Sequence, residues 1–198
     1  MVMLHEAPAI EVGLSMEDFI AQFHEAPFEL INDRRRLLMP TLPRHTLAVD
    51  FVYKLLNTLK ERAGIIAFSE TPFVLVDKRN WVKGSRVPDI LVYERARFDA
   101  YCVEHPDWLD KPFILVPDLC IEVVSKNDQY SDVNEKVEAY LADGVLLVWV
   151  FDPQTRTVTV RIAGSTQATI LYEDDTLDGG SVVRGFSVRI GEVFAGKV

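Results

Sequence analysis

Cysteine is scarce in this sequence. Cys102 and Cys120 are the only two among 198 residues, and neither stands in a CxxC or Cys/His cluster. A disulfide framework and a structural zinc site are thereby disfavoured, and both thiols read as ordinary buried residues. Long hydrophobic runs are missing too. The longest, Val145 to Phe151, has seven residues, against the roughly 20 that a membrane-spanning helix needs. The stretch Met1-Val2-Met3-Leu4-His5-Glu6 has neither the basic start nor the apolar segment of a signal peptide, so a cytoplasmic location and no membrane partner are expected. Positive charge is the third shortage. Lys and Arg number 21 against 30 Asp and Glu, giving a net charge of −9 and a pI near 4.9, so contact with nucleic acid must rely on a local basic patch against an unfavourable overall field.

What is present fits one globular α/β domain over residues 1–198. Hydrophobic residues make up 48 % and charged ones 26 %, the length suits a single core, and no repeat or low-complexity linker interrupts it. Ser15-Met16-Glu17-Asp18 has the form of a helix N-cap with an acidic first turn, followed by Phe19 and Phe23 at helical spacing. Phe28 to Ile31 and Leu37 to Met39 flank Asn32-Asp33-Arg34, a hairpin pattern with Glu29 on its first strand. The apolar spacing predicts a helix over Thr46 to Ala63, stopped by Gly64, and a second over Ser131 to Ala142. Strands are predicted at Ile65 to Phe68, Phe73 to Val76, Val87 to Tyr93, Ile114 to Val124 with a break at Pro117-Asp118, and Thr157 to Ile162, Ala168 to Tyr172 and Val182 to Ile190. Val145 to Phe151 reads as a central strand buried on both faces.

The informative feature is acid where strand patterning expects apolar side chains. Glu122 interrupts Leu119-Cys120-Ile121-Glu122-Val123-Val124, and an unpaired charge there would cost several kcal/mol. By parity Cys120, Glu122 and Val124 share one face, and Val87, Asp89 and Leu91 another. Were the two strands neighbours in matching register, Asp89 and Glu122 would converge. Paired carboxylates oppose each other's ionisation, and a hard cation such as Mg²⁺ or Mn²⁺ relieves them, which suits phosphodiester hydrolysis. Asp132, Lys136 and Tyr140 at i, i+4 and i+8 share a helix face, with Lys136 at the edge of the apolar stripe, where its ammonium could orient water or stabilise developing charge.

Other readings stand beside this one. Asp89 could simply open a strand after Pro88, and Glu122 could be a buried structural ion pair with Lys136 or an arginine. Lys136 and Asp132 could form an i,i+4 surface pair. Glu29 could pair with Arg34, Arg35 or Arg36 across its own hairpin. Ser125 suits a turn or helix cap better than a nucleophile, since no histidine lies in a motif near it. Lys78 to Arg97 carries six basic residues against Asp89 and Glu94, either a phosphate-contact surface or a solvated loop face.

The ordered set Phe28-Glu29-Leu30-Ile31, Val87-Pro88-Asp89, Pro117-Asp118 through Ser125, then Asp132, Lys136 and Tyr140, then Gly144-Val145 with Trp149 and Asp152-Pro153, resembles the Uma-type restriction endonuclease family of the PD-(D/E)XK nuclease superfamily. The resemblance runs from about Ser15 to Phe194. It implies a restriction-endonuclease-like core, a mixed β-sheet flanked by helices, with Asp89 as the acid of the PD element and Glu122 as that of (D/E)XK, both metal ligands. Val124 stands where the superfamily pattern has lysine, so the resemblance passes that role to Lys136, with Glu29 as an accessory acid. The implied function is metal-dependent hydrolysis of nucleic acid, expected to be DNA, with Lys83, Arg86, Lys126 and Asp132 as further contacts. A nuclease fold that no longer cleaves and serves as a binding module is the alternative. An edge strand near the C-terminus leaves room for a homo-oligomer.

Overall fold

A computed structural model describes residues 13–77, 80–126 and 128–195. Lys78, Arg79 and the N-terminal stretch considered above as a leader lie outside them. The chain opens with β1 (Leu14–Ser15) and α1 (Met16–Glu25), whose N-cap Ser15 accepts the Asp18 amide as the capping pattern requires. The hairpin β2 (Phe28–Ile31) and β3 (Arg34–Leu37) turns on Asn32 and Asp33, both at positive φ. The tight two-residue turn makes β3 begin at Arg34, so Leu38 and Met39 fall beyond the strand, contrary to the sequence pattern. Helix α2 (Pro43–Ala63) starts three residues earlier than expected because Pro43 occupies the first turn, where its missing N–H costs nothing.

Next come β4 (Ile65–Ser69), β5 (Phe73–Val76), β6 (Trp81–Arg86), β7 (Ile90–Glu94) and α3 (Arg95–Glu104), and after a 3₁₀ turn at Trp108–Asp110, β8 (Leu119–Val123). Then follow α4 (Tyr130–Asp143), β9 (Leu147–Asp152), β10 (Thr157–Ile162), β11 (Ala168–Leu171), β12 (Thr176–Asp178), β13 (Ser187–Arg189) and the short α5 (Ile190–Val193). Six strands form a mixed sheet in the order β11-β10-β9-β8-β7-β4, antiparallel except for the parallel pair β8–β9. The hydrophobic strand β9 lies in its interior, as its unbroken apolar run predicts. A second sheet joins β3, β2, β6 and β5, with β1 on β6, and β12 and β13 pair separately. The strand expected over Val87 to Tyr93 begins only at Ile90, because Val87-Pro88-Asp89 forms the break between β6 and β7.

Both faces of the six-stranded sheet are covered. Leu119, Ile121 and Val123 of β8 pack with Ala48, Val52 and Leu56 of α2 and with Phe186 and Ile190 from the C-terminal segment. On the opposite face Cys120 joins Leu91, Tyr93, Phe98 and Tyr101 of β7 and α3 and Val137 and Tyr140 of α4. Glu122 shares the α4 face by strand alternation.

Gly64 ends α2 at φ 64° with open space where a Cβ would lie. Gly64→Ala would therefore cost only the left-handed backbone, about 1 kcal/mol, read as a small fall in thermal midpoint with no change in the cooperativity of unfolding.

Candidate active site

The site is built at one end of the β7–β8 ladder. Ile90 faces Ile121 and Leu91 faces Cys120 in antiparallel register, so continuing the ladder by one residue sets Asp89 opposite Glu122. Pro88 interrupts the strand there, and Asp89 Oδ2 accepts the Val123 amide at 2.6 Å. A second Pro-Asp pair, Pro117-Asp118, does the same at the opposite end: Asp118 Oδ2 accepts the Glu94 amide at 2.7 Å. The motif is thus a strand-end clamp in both places, and the neighbours distinguish the two. Asp118 Oδ1 is neutralised by Arg97 Nη1 at 2.7 Å, whereas Asp89 Oδ1 meets a histidine, His45, and its charge acts on Glu122.

Glu122 is buried, and both its oxygens are engaged from α4. Lys136 Nζ donates to Oε2 at 2.9 Å, and the Tyr140 hydroxyl donates a short hydrogen bond to Oε1. One helical turn separates Lys136 from Tyr140, so a single face of α4 presents both. Glu29, 3 % exposed, comes from β2; its Oε1 accepts the Val87 amide at 2.8 Å and lies 3.3 Å from Lys136 Nζ. Of the partners open to Glu29, Lys136 is therefore the one taken. Its cross-strand neighbour Arg36 turns instead to Glu135 and, at 3.6 Å, to Asp132. Asp132 is half exposed and pairs with Arg36, on the rim rather than on Glu122.

The electrostatics follow from crowding. Burial, reinforced by Asp89 and Glu29 and opposed by Lys136 and Tyr140, pushes Glu122 up to about 8. Burial alone would lower the Lys136 pKa, but Glu122, Glu29 and Asp89 outweigh it and hold the ammonium charged above its ordinary range. Glu122 and Glu29 thus share one lysine, with the charge of Asp89 close by.

His45, in the first turn of α2, is a residue that the sequence reading missed. Its Nε2 sits 3.1 Å from Asp89 Oδ1, and its buried Nδ1 has no hydrogen-bond partner. Burial acts to lower its pKa, but the hydrogen bond and charge of Asp89, with Glu122 and Asp128, raise it overall. No local pattern marks this histidine; only the packing of α2 across the sheet end brings residue 45 to residue 89. His45 and Ser125 line one cleft, so a histidine does lie near Ser125 after all. Its imidazole is committed to Asp89.

The further contacts named from the sequence separate. Lys126 is exposed and lines the cleft beside His45. Lys83 is exposed on β6 and 2.6 Å from Asp77. Arg86 does not belong with them. It is 5 % exposed, its Nη1 donates to the Leu30 and Ser85 carbonyls and its Nη2 to Asp143 Oδ1 at 3.2 Å, so the guanidinium is consumed inside the protein.

Asp89 and Glu122 offer hard oxygen donors suited to Mg²⁺ or Mn²⁺. Among the described residues no three His, Cys, Asp or Glu side chains are grouped to hold a metal ion. The donor set fits a cation bound by two carboxylates and completed by water and substrate oxygens, the usual habit of magnesium.

The chain belongs to the Uma2 family, described as "Putative restriction endonuclease", whose model matches residues 16–191. A crystal structure of a "putative nuclease belonging to DUF820" from Anabaena variabilis is similar, with a TM-score of 0.75 at 20 % identity over 92 % of this chain and 98 % of that one. At that identity the likeness concerns the fold. No curated protein matches the sequence. Among the described residues no helix is long and apolar enough to cross a membrane.

Proposed function

We propose that this protein is an endonuclease that hydrolyses phosphodiester bonds of DNA with Mg²⁺ or Mn²⁺ held by Asp89 and Glu122. The observation that carries the reading is the gathering of three buried or half-buried acids at one strand end, where Glu122 and Glu29 share Lys136 and Asp89 meets His45, three acids against two cationic groups. A purely structural ion pair needs one acid per cation, and the surplus is what a divalent cation would neutralise.

The cation would supply Lewis-acid polarisation of the phosphate and acidify a water molecule. The chain supplies the rest. Tyr140 fixes the orientation of Glu122 through Oε1, the Val123 amide fixes Asp89 through Oδ2, and Glu29 braces Lys136 at 3.3 Å. The Lys136 ammonium, charged at any working pH, would stand beside the site to stabilise charge developing on the phosphate or to orient the attacking water, which displaces the leaving oxygen in line. The exposed edge of β11, carrying Ile170, is where a second copy of the chain would pair.

A non-cleaving module is the second reading. It is favoured by the saturation of Glu122, whose two oxygens already have Lys136 and Tyr140 as partners. Thermal unfolding with and without Mn²⁺ separates the two. A working site raises the midpoint with cation concentration, the gain in unfolding free energy being about 2.7 kcal/mol at a hundredfold excess over Kd, and Asp89→Ala removes the rise. Nicking of supercoiled plasmid by the wild type, absent with Asp89→Ala that remains folded, would complete the case; no Mn²⁺ shift and no nicking would leave the non-cleaving module.

A further inference from the structure

Resting on the endonuclease reading, we propose that the cleft between the start of α2 and the loop after β8 is a phosphate-binding subsite, which seats a backbone phosphate of the nucleic-acid strand next to the bond that is cut. The cleft, of about 390 Å³, is lined by Leu42, Arg44, His45, Ser125, Lys126 and Gln154 among others. It adjoins the proposed metal site through His45, which lines it and contacts Asp89.

Three features give it anion chemistry. Helix α2 begins here without a side-chain cap and without an acid in its own first turn, so its backbone N–H groups and the partial positive charge of a 21-residue helix meet the cleft with no capping side chain. Arg44 and Lys126 reach the same cleft from α2 and from the β8–α4 loop. Most basic residues of this acidic chain are spent on acids: Arg36, Lys54, Lys83, Arg86, Arg95, Arg97, Lys111, Lys136, Arg156, Arg161 and Arg189 all sit in ion pairs. Arg44 and Lys126 have no ion-pair partner among the described residues. Finally His45, 6 % exposed, lines the cleft and holds a buried Nδ1 without a hydrogen-bond partner. Asp128 is the nearby acid; it accepts the Ser125 amide at 2.7 Å and so is turned to closing its own loop. Two unpaired cations and a bare helix start, all beside the acids, fit a phosphodiester better than a neutral ligand.

The test is fluorescence anisotropy of a labelled DNA duplex with Ca²⁺ replacing Mg²⁺, measured over a range of KCl concentrations for the wild type, Arg44→Ala/Lys126→Ala, and the control Arg95→Ala/Lys111→Ala. The control removes equal charge from the α3 face of the sheet. The cleft variant should bind at least about tenfold more weakly, with a log–log salt slope shallower by about two, one phosphate contact for each lost cation. The control should change far less, and the Mn²⁺-induced rise in midpoint should survive in both. Wild-type affinity and slope in the cleft variant would overturn the subsite alone, as would loss of its Mn²⁺ response. Absence of DNA binding by the wild type would overturn the endonuclease reading and the subsite with it.

Discussion

Glu122→Ala should abolish Mg²⁺-dependent nicking, lowering the rate by roughly 10²–10³-fold or more, while leaving a folded protein. Glu122→Gln should lose as much activity, because an amide keeps the shape but not the charge that holds a cation. The companion expectation concerns stability. Glu122 has a folded pKa raised to about 8 from 4.5, so the folded state holds more protons than the unfolded one between those values. Its contribution therefore declines as pH rises from about 4.5 through about 8. Glu122→Gln removes that decline, and Lys136 keeps Glu29 at 3.3 Å as a partner. The variant should gain on the wild type in thermal midpoint as pH increases across this window. Removing a needed structural ion-pair partner would instead be strongly destabilising throughout. An inactive variant that unfolds no more easily at pH 8 would mark Glu122 as retained for chemistry; a variant several kcal/mol less stable at every pH would mark a structural pair.

The same comparison shows how far the sequence could be read. Parity within two short strands was enough to bring Asp89 and Glu122 together, because β7 and β8 are antiparallel neighbours in the register that alternation requires. Helical spacing placed Lys136 and Tyr140 together on α4, and both meet Glu122. These inferences use periods that the backbone imposes. What escaped has no such period. Strand β6 reads Trp-Val-Lys-Gly-Ser-Arg, too polar and too rich in glycine to look like a strand, yet it is the centre of its sheet. Gly84 suits that position because a Cβ there would press on Leu75, Arg86 and the Leu30 carbonyl at 3.2–3.4 Å. Helix α3 has no apolar period to mark it, because it is highly charged and is capped by the Glu94 carboxylate, which accepts the Ala96 and Arg97 amides. Glutamate is not among the residues expected at a helix cap. His45 escaped because its role exists only where α2 crosses the sheet end. Arg86 was assigned to the surface by the company it keeps in sequence, whereas its strand turns it inward.

Arg86 also carries the second large expected effect, this time on folding. Its guanidinium ties three elements: Nη1 donates to the Leu30 and Ser85 carbonyls of β2 and β6, and Nε and Nη2 face Asp143 at the end of α4, at 2.9 and 3.2 Å. Arg86→Met would leave the Asp143 carboxylate, 8 % exposed, without its cation, and would strand the Leu30 carbonyl, at a cost of about 3–5 kcal/mol. In a domain of this size that corresponds to a fall in thermal midpoint of roughly 10 °C. Burial already holds the Asp143 pKa above its ordinary value, with Arg86 opposing; without Arg86 it would rise further. A carboxyl raised in the folded state loses stability as pH rises through its folded pKa, so the deficit of the variant should shrink from pH 8 toward pH 5. Arg86→Met/Asp143→Leu should recover much of the loss at pH 8, since an apolar pair removes the stranded charge. Were Arg86 a solvent-facing phosphate contact, its replacement would leave stability within about 0.5 kcal/mol of the wild type and weaken only DNA binding, with no rescue from residue 143.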